Sequence, residues 1–343
     1  MKRELKIKIA LILISICFSL LLLEFFLRFL NFKPWKYENE ISKNNEIFQY
    51  EKKLGWISKK GFYQMTFDEN KNPNSFITIE EKGNRFIQNS EENKESIIFI
   101  GGSFTQGWGI NDNQTFSNLI KNYFQKYNVY NFGQSGYGGV QSLLLLQEII
   151  KEFKHPKLII YGFIEHHEQR NVARSAWLET LLRYSKRGHY NKPQIPFATI
   201  NKNNQLIIHE PKSYIEFWLR EESALIVALE KFVNKQISRH RKKYQDLTTK
   251  QIFIDMKKIA DENKSNFLIV NLFFTNKDNE KKYEIFFNEK KLNYVNCNIN
   301  LDKTFLILND FHPNHKANVL YGKCIKDYIE KKKFTFLKNS LIV

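Results

Sequence analysis

Three cysteines, seven prolines and fourteen glycines are spread over 343 residues. So little proline and glycine argues against long disordered linkers. Cys17 lies inside an apolar N-terminal run, which leaves only Cys297 and Cys324 able to pair in the rest of the chain, and their positions do not say whether they do. Neither stands at a spacing from the other, or from a histidine, that would build a zinc site. Acid is also short, with 36 Asp and Glu against 53 Lys and Arg, a formal charge of +17. Such a field favours anionic partners, membrane lipid or acidic polymer among them. Nucleic acid is not expected, because the lysines are scattered and there is no zinc-finger spacing or compact basic helix. A biased base composition of the gene would account for the excess without any partner.

What is present is 42% hydrophobic residue, enough for one large domain with attachments. The first attachment is N-terminal. Residues 1–8, MKRELKIK, are basic; IALILISICFSLLLL follows at 9–23 and EFFLRFL at 24–30. Carried through Glu24 to Phe29, the run reaches the roughly 20 residues that cross a bilayer, and Arg28 can snorkel to the headgroups. A buried helix of a soluble protein is the competing reading; all-round apolarity and flanking charge speak against it. The run has no small-x-small cleavage site after it and reads as an uncleaved anchor over 9–30, in contact with the lipid bilayer. The lysines ahead of it should stay inside, which places the body outside a bacterial inner membrane as a single-pass, extracytoplasmic or periplasmic domain.

Residues 31–95 form a polar approach region with LGW at 54–56, a hairpin-like alternation at 75–87 turning at KGN, and a charged stretch before 96. A β/α rhythm then begins. SIIFI (96–100), VYNFG (129–133), KLIIYGF (157–163), NFLIVNLFF (266–274) and TFLILN (304–309) read as five buried strands. Helical spacing covers 113–127, 140–153, 214–237, 248–264 (capped by Thr248 or Thr249) and 316–332, and FATINKNNQLIIHE at 197–210 reads as a hairpin. The rhythm predicts a three-layer α/β/α sandwich on a mostly parallel five-stranded sheet over 96–335, with an insertion around 172–247. Ligands of such sheets bind beyond the C-terminal strand ends.

Two blocks converge on that rim. GGSFTQG at 101–107 sets Ser103 in a glycine turn after the first strand, and NDFHPNH at 309–315 sets Asp310 two residues before His312. A serine hydroxyl needs a base, and an imidazole held by a carboxylate is the usual one. Ser103, His312 and Asp310 are therefore the expected nucleophile, base and orienting group. The plain alternative for GGS is a strand-to-helix turn; it is not a G-x-S-x-G elbow, since Thr105 is not glycine. The oxyanion donors would be the N–H groups of Ser103 and Gly133, the latter from NFGQSGYGG. After the third strand, YGFIEHHEQRN crowds His166, His167 and Asn171 at one strand end, where they would contact substrate or oxyanion, or form a structural network. No metal site is expected of them.

With these blocks the chain resembles the SGNH, or GDSL-like, hydrolase superfamily, and more narrowly its membrane-anchored bacterial branch. GGSFTQG matches the first block with Ser103 in the key place, NFGQSGYG the second with Gly133, and DFHPN the last with Asp310 and His312; LGW and the NRF at 84–86 also look like that branch. Two departures stand out: the family's Asp before the serine is Gly102, and the third block lacks its Asn. The resemblance implies ester cleavage or acyl transfer without a cofactor, acetyl esters of cell-envelope polysaccharide being the expected substrates. A non-catalytic glycan-binding or polysaccharide-assembly protein on the same fold is the alternative.

Overall fold

In this computed structural model, residues 2–36, 47–65, 75–89, 95–183, 185 and 193–332 are described. The charged stretch before 96 falls largely outside them. The chain opens on α1 (Lys2–Phe29). The antiparallel ribbons β1 (Phe48–Glu51) with β2 (Gly55–Ser58), and β3 (Gly61–Met65) with β4 (Ser75–Ile79), follow. Next come β5 (Ser96–Gly101), α2 (Ser103–Gln106), α3 (Phe116–Tyr123), β6 (Asn128–Gly133), α4 (Gly139–Ile149), β7 (Leu158–Ile164), α5 (His167–Asn171) and α6 (Ser175–Arg183). The hairpin β8 (Ile195–Ile200) with β9 (Leu206–Lys212) leads to α7 (Ala224–Arg239), α8 (Gln245–Glu262), β10 (Asn266–Phe273), α9 (Lys277–Glu289), β11 (Tyr294–Asn296) and α10 (His315–Lys332).

Five strands form one parallel sheet in the order β6-β5-β7-β10-β11. The branched runs of β5 and β7 are buried along their whole length, as strands covered on both faces must be. Residues of α4, α8 and α9 cover one face, and α3 and α10 the other. The strand order reverses between β5 and β7, so the crevice beyond their C-terminal ends is where such a fold receives a ligand.

The three-layer sandwich is as the sequence implied, and three of its elements are not. TFLILN at 304–309 is no strand. Asp302 takes the Thr304 N–H on its side chain, Ile307 donates to the His312 carbonyl, and Leu306 makes only an isolated bridge to Pro313, so the run folds back on itself as a loop. The edge place belongs to Tyr294–Asn296, whose three polar or half-exposed residues pair with Ile269–Asn271. The helix expected from 214 starts at Ala224, because Ser223 caps it through the Ile226 N–H, while Asn234 and Glu230 take the N–H groups of Ile215 and Phe217 and hold that segment unwound. Thr248 and Thr249 lie inside α8 rather than capping it; Thr249 donates back to the Gln245 carbonyl. Cys297 and Cys324 are joined in a disulfide that ties the end of β11 to α10.

Helix α1 meets this body near its C-terminal end, at the start of α7. From Arg3 to Phe29 its mean hydropathy reaches 2.7 and none of it is buried, so by length and composition it is a candidate membrane span.

Candidate active site

The β5–α2 turn is built so that a serine ends up at the strand tip. Gly101 has φ +151°, and a Cβ there would lie 2.3 Å from Thr105 Oγ1, so only glycine fits. Gly102 is extended and Ser103 opens α2, one short turn that Gly107 closes in the left-handed region. As the first residue of a helix, Ser103 has an N–H without an intrahelical acceptor.

The approach region holds this turn from behind. Arg85, in the NRF segment, is fully buried, pairs with Asp112 at 2.8 Å, and donates to the carbonyls of Gln106, Gly107 and Ile110. One planar guanidinium thus satisfies the C-terminal end of α2 and the loop beyond it. Gln106 then ties α2 to the loop after β6: its Oε1 accepts from the N–H and hydroxyl of Ser135, and its Nε2 donates to Ser58. Trp56, from LGW, donates its indole N–H to the Ser135 carbonyl. The approach region is therefore part of the site's frame.

The second block reaches the same rim on a stapled loop. Asn314 donates to the carbonyls of Thr304 and Leu306, accepts the Ala317 N–H, and so fixes both the loop and the start of α10. Between them, Asp310 Oδ1 accepts the His312 backbone N–H at 2.9 Å and also meets His312 Nδ1. Burial works to raise the Asp310 carboxyl, but the His312 ring and the N–H groups of His312 and Phe311 outweigh it and hold the group below its ordinary value of 3.8. The stability it contributes is complete above that value and is lost as pH falls below it. With Nδ1 engaged, His312 keeps Nε2 for chemistry; its ring lies edge-on to Phe104 and near Trp108.

Ser103, Asp310 and His312 line one cavity of about 390 Å³ at the predicted strand ends. Six aromatic side chains, Phe48, Tyr50, Trp56, Trp108, Trp177 and Phe311, contribute to its other walls. Ser135, Arg170, Thr180, Ser185 and Asn309 set polar groups among them, a mixture that suits a small-molecule site.

The other expected contacts are placed elsewhere. The Gly133 N–H is donated to Asn131 Oδ1 at 2.9 Å, and a Cβ on Gly133 would strike the α2 backbone at 2.4 Å. That glycine lets strand and helix approach; it has no donor left for an oxyanion. Gly136, three residues on, lines the cavity instead, in the left-handed region at φ +83° and against the indoles of Trp56 and Trp177. Asn171 is committed at both ends, accepting the N–H groups of Gly139 and Val140 at the start of α4 and donating to Thr249. His167 is buried with Nδ1 bonded to the Tyr161 hydroxyl, and burial, then the Arg170 cation, push it well below the ordinary histidine value. His166 stands exposed beside Phe273 and is not on the cavity wall. The reason is that 167–171 coils into α5, which turns His167 and Asn171 into the protein.

The residue that α5 does present to the cavity is Arg170, which no motif in the sequence singles out. It is 7% exposed, lies over the Trp177 ring at 4.1 Å, and gives Nη1 to the Tyr137 carbonyl at 2.9 Å. Among the described residues no carboxylate pairs with it. Burial pulls its pKa down to about 10, so it remains a cation at neutral pH. A buried charge of this kind is costly without a partner.

The departure at Gly102 has a steric cause. A Cβ there would lie 2.7 Å from His167 Nε2 and 3.6 Å from Arg170 Nη1. The space an aspartate side chain would need is filled from α5. Gly102→Ala is expected to cost about 1–3 kcal/mol through overpacking. The double variant with His167→Ala should be no less stable than His167→Ala alone. Urea unfolding of the four proteins reads both numbers, and additive losses would mean that the two residues do not collide.

No family model matches the chain, and no curated protein does. Solved structures similar to it include a protein described as lipolytic, of the G-D-S-L family, from Desulfitobacterium hafniense (13% identity, 68% of this chain and 99% of that one, TM-score 0.40). An acetyl xylan esterase from Geobacillus stearothermophilus matches at 12% identity over 71% of this chain and 96% of its own, with TM-score 0.37. A carbohydrate esterase, described as having divergent catalytic and non-catalytic binding functions, matches at 15% over 72% and 68%, with TM-score 0.39.

Proposed function

We propose that the protein is a serine esterase of the SGNH type that cleaves, or transfers, acetyl groups on polysaccharide of the bacterial cell envelope, from the outer side of the inner membrane. The observation that carries this reading is the shared cavity: a serine on a glycine turn and an aspartate-held histidine from the far end of the chain line the same pocket. In the reaction, Ser103 Oγ attacks the ester carbonyl while His312 Nε2 takes its proton. The tetrahedral oxyanion collapses, the sugar oxygen leaves with the proton from His312, and an acyl-serine remains. Water, or a second sugar hydroxyl, then attacks that ester with His312 again as base, and the acyl–Oγ bond breaks as His312 returns the proton to Ser103. The aromatic walls suit a sugar ring, and the disulfide suits an oxidising compartment outside the cytoplasm.

Negative charge on the oxyanion would meet the N–H groups of Ser103 and Gly136, with Arg170 in the role of the missing third-block Asn. A guanidinium beside the nucleophile turn, without a carboxylate, supplies a donor and a full charge in a dry site. Arg170→Met is expected to lower kcat on p-nitrophenyl acetate by about 10²–10³ with KM nearly unchanged. A loss confined to KM would remove Arg170 from this role. The missing Asn also favours a second reading, a glycan-binding protein without turnover. Binding of acetylated polysaccharide that is indifferent to Ser103→Ala, with no ester released, would establish that alternative.

A further inference from the structure

The anchor helix and the body are not joined by a loose tether. Glu24, inside the apolar run, accepts from the Ser223 hydroxyl at 2.8 Å and from the N–H groups of Ala224 and Leu225 at 3.0 and 2.8 Å. A carboxylate of α1 therefore caps α7. Arg28 pairs with Glu24 and donates to the Glu222 carbonyl at 2.6 Å. Just past the helix, Trp35 donates its N–H to the Arg220 carbonyl, and its ring lies under the Arg220 guanidinium at 3.8 Å. Where the sequence suggested an arginine reaching for headgroups, the structure uses both charges to lock the helix to the body.

This lock fixes a depth. Glu24 lies five residues before the end of α1, about 7.5 Å at 1.5 Å per residue. If α1 spans a bilayer, the start of α7 cannot stand clear of it. The surface at that level is apolar. Trp218 is 86% exposed and Phe232 59%, with Ile215, Leu219 and Leu229 also exposed. Leu225, Leu229 and Phe232 form one stripe of α7, and exposed Lys235 and Arg239 flank its far end, while Glu221 and Glu222 precede the helix. Exposed tryptophan, an apolar stripe and basic flanks are what an interfacial helix presents to anionic lipid.

We infer that the exposed face of α7, with the 215–219 segment, lies on the bilayer surface as a second membrane contact. The inference rests on α1 being an anchor and not on the esterase reading. It has a consequence for the site: Leu178 and Leu182 of α6 share a buried cluster with Val227 of α7, and α6 also supplies Trp177 to the cavity wall. The cavity wall is then one helix away from lipid, and the esters within reach are those of membrane-proximal glycan.

The full chain is placed in vesicles of phosphatidylethanolamine and phosphatidylglycerol carrying doxyl-labelled lipid. With Cys17→Ser as background, Phe232→Cys and, separately, Leu229→Cys are labelled with an environment-sensitive dye. Lys281→Cys on α9 is the solvent control, and native Cys17 reports on α1. Shallow doxyl lipid should quench the labels at 229 and 232 about two-fold or more and leave 281 unchanged. Quenching at Cys17 without quenching at 229 and 232 would overturn the docking and leave the anchor standing. Blue-shifted but unquenched labels, with cross-linked dimers, would assign the face to a second copy and overturn it too. No quenching at any position, Cys17 included, would remove the anchor and the docking together.

Discussion

Replacing His312 with alanine should lower kcat on p-nitrophenyl acetate by about 10⁴–10⁶, with little change in KM. Among the described residues His312 is the one histidine on the cavity wall: His167 is buried and bonded to Tyr161, and His166 is off the wall. A serine hydroxyl is a poor nucleophile until a base removes its proton, so the loss falls on the chemical step. Folding should survive, because His312 sits on a loop held by Asn314 rather than by its own ring. Asp310→Asn is the sharper companion. It keeps the side-chain shape but leaves Nδ1 facing an amide, and should cost about 10⁴ in kcat through the wrong tautomer. Equal activity of the wild type and His312→Ala would mean that any ester turnover arises elsewhere.

Arg85→Ala should be the most destabilising single change in the site's frame, by about 3–5 kcal/mol. It removes the guanidinium that serves the carbonyls of Gln106, Gly107 and Ile110 and the Asp112 carboxylate, and leaves Asp112 with the Thr78 N–H and Gly107 with a long contact from the Ile110 N–H. Lysine should not rescue it, since a point charge cannot span acceptors that a planar fork reaches. Chemical denaturation reads the loss. A fall within about 1 kcal/mol would show that water replaces the guanidinium and that the approach region is dispensable to the turn.

How much of this was legible in the sequence varies with the range of the interaction. That Ser103, Asp310 and His312 share one rim was readable because glycine turns and the D-x-H spacing are local. Four of the five strands were readable as continuous branched runs; β11 was not, because Tyr294–Asn296 is short and its place comes from pairing with β10. Gly133 looked like an oxyanion donor because it follows a strand in a glycine-rich stretch. Only coordinates reveal that Asn131, two residues earlier, already holds its N–H. The signal for Gly136 was there, as the glycine of a Ser-Gly pair past the strand end. Arg170 gave no signal, since a run of polar residues does not say which of them a short helix will turn into a cavity. NRF carries no local sign of its role, which is a clamp on a turn whose residues start sixteen positions later.

A fluorophosphonate applied to the full chain, followed by peptide mass mapping, addresses the shared hydroxyl–imidazole pocket directly. Phosphonylation should appear on Ser103 alone and fall to background in His312→Ala, while Arg170→Met should slow it without moving it. Labelling of Ser103 at the same rate with and without His312, or its absence in a folded wild-type protein, would contradict the assignment of this cavity to ester chemistry.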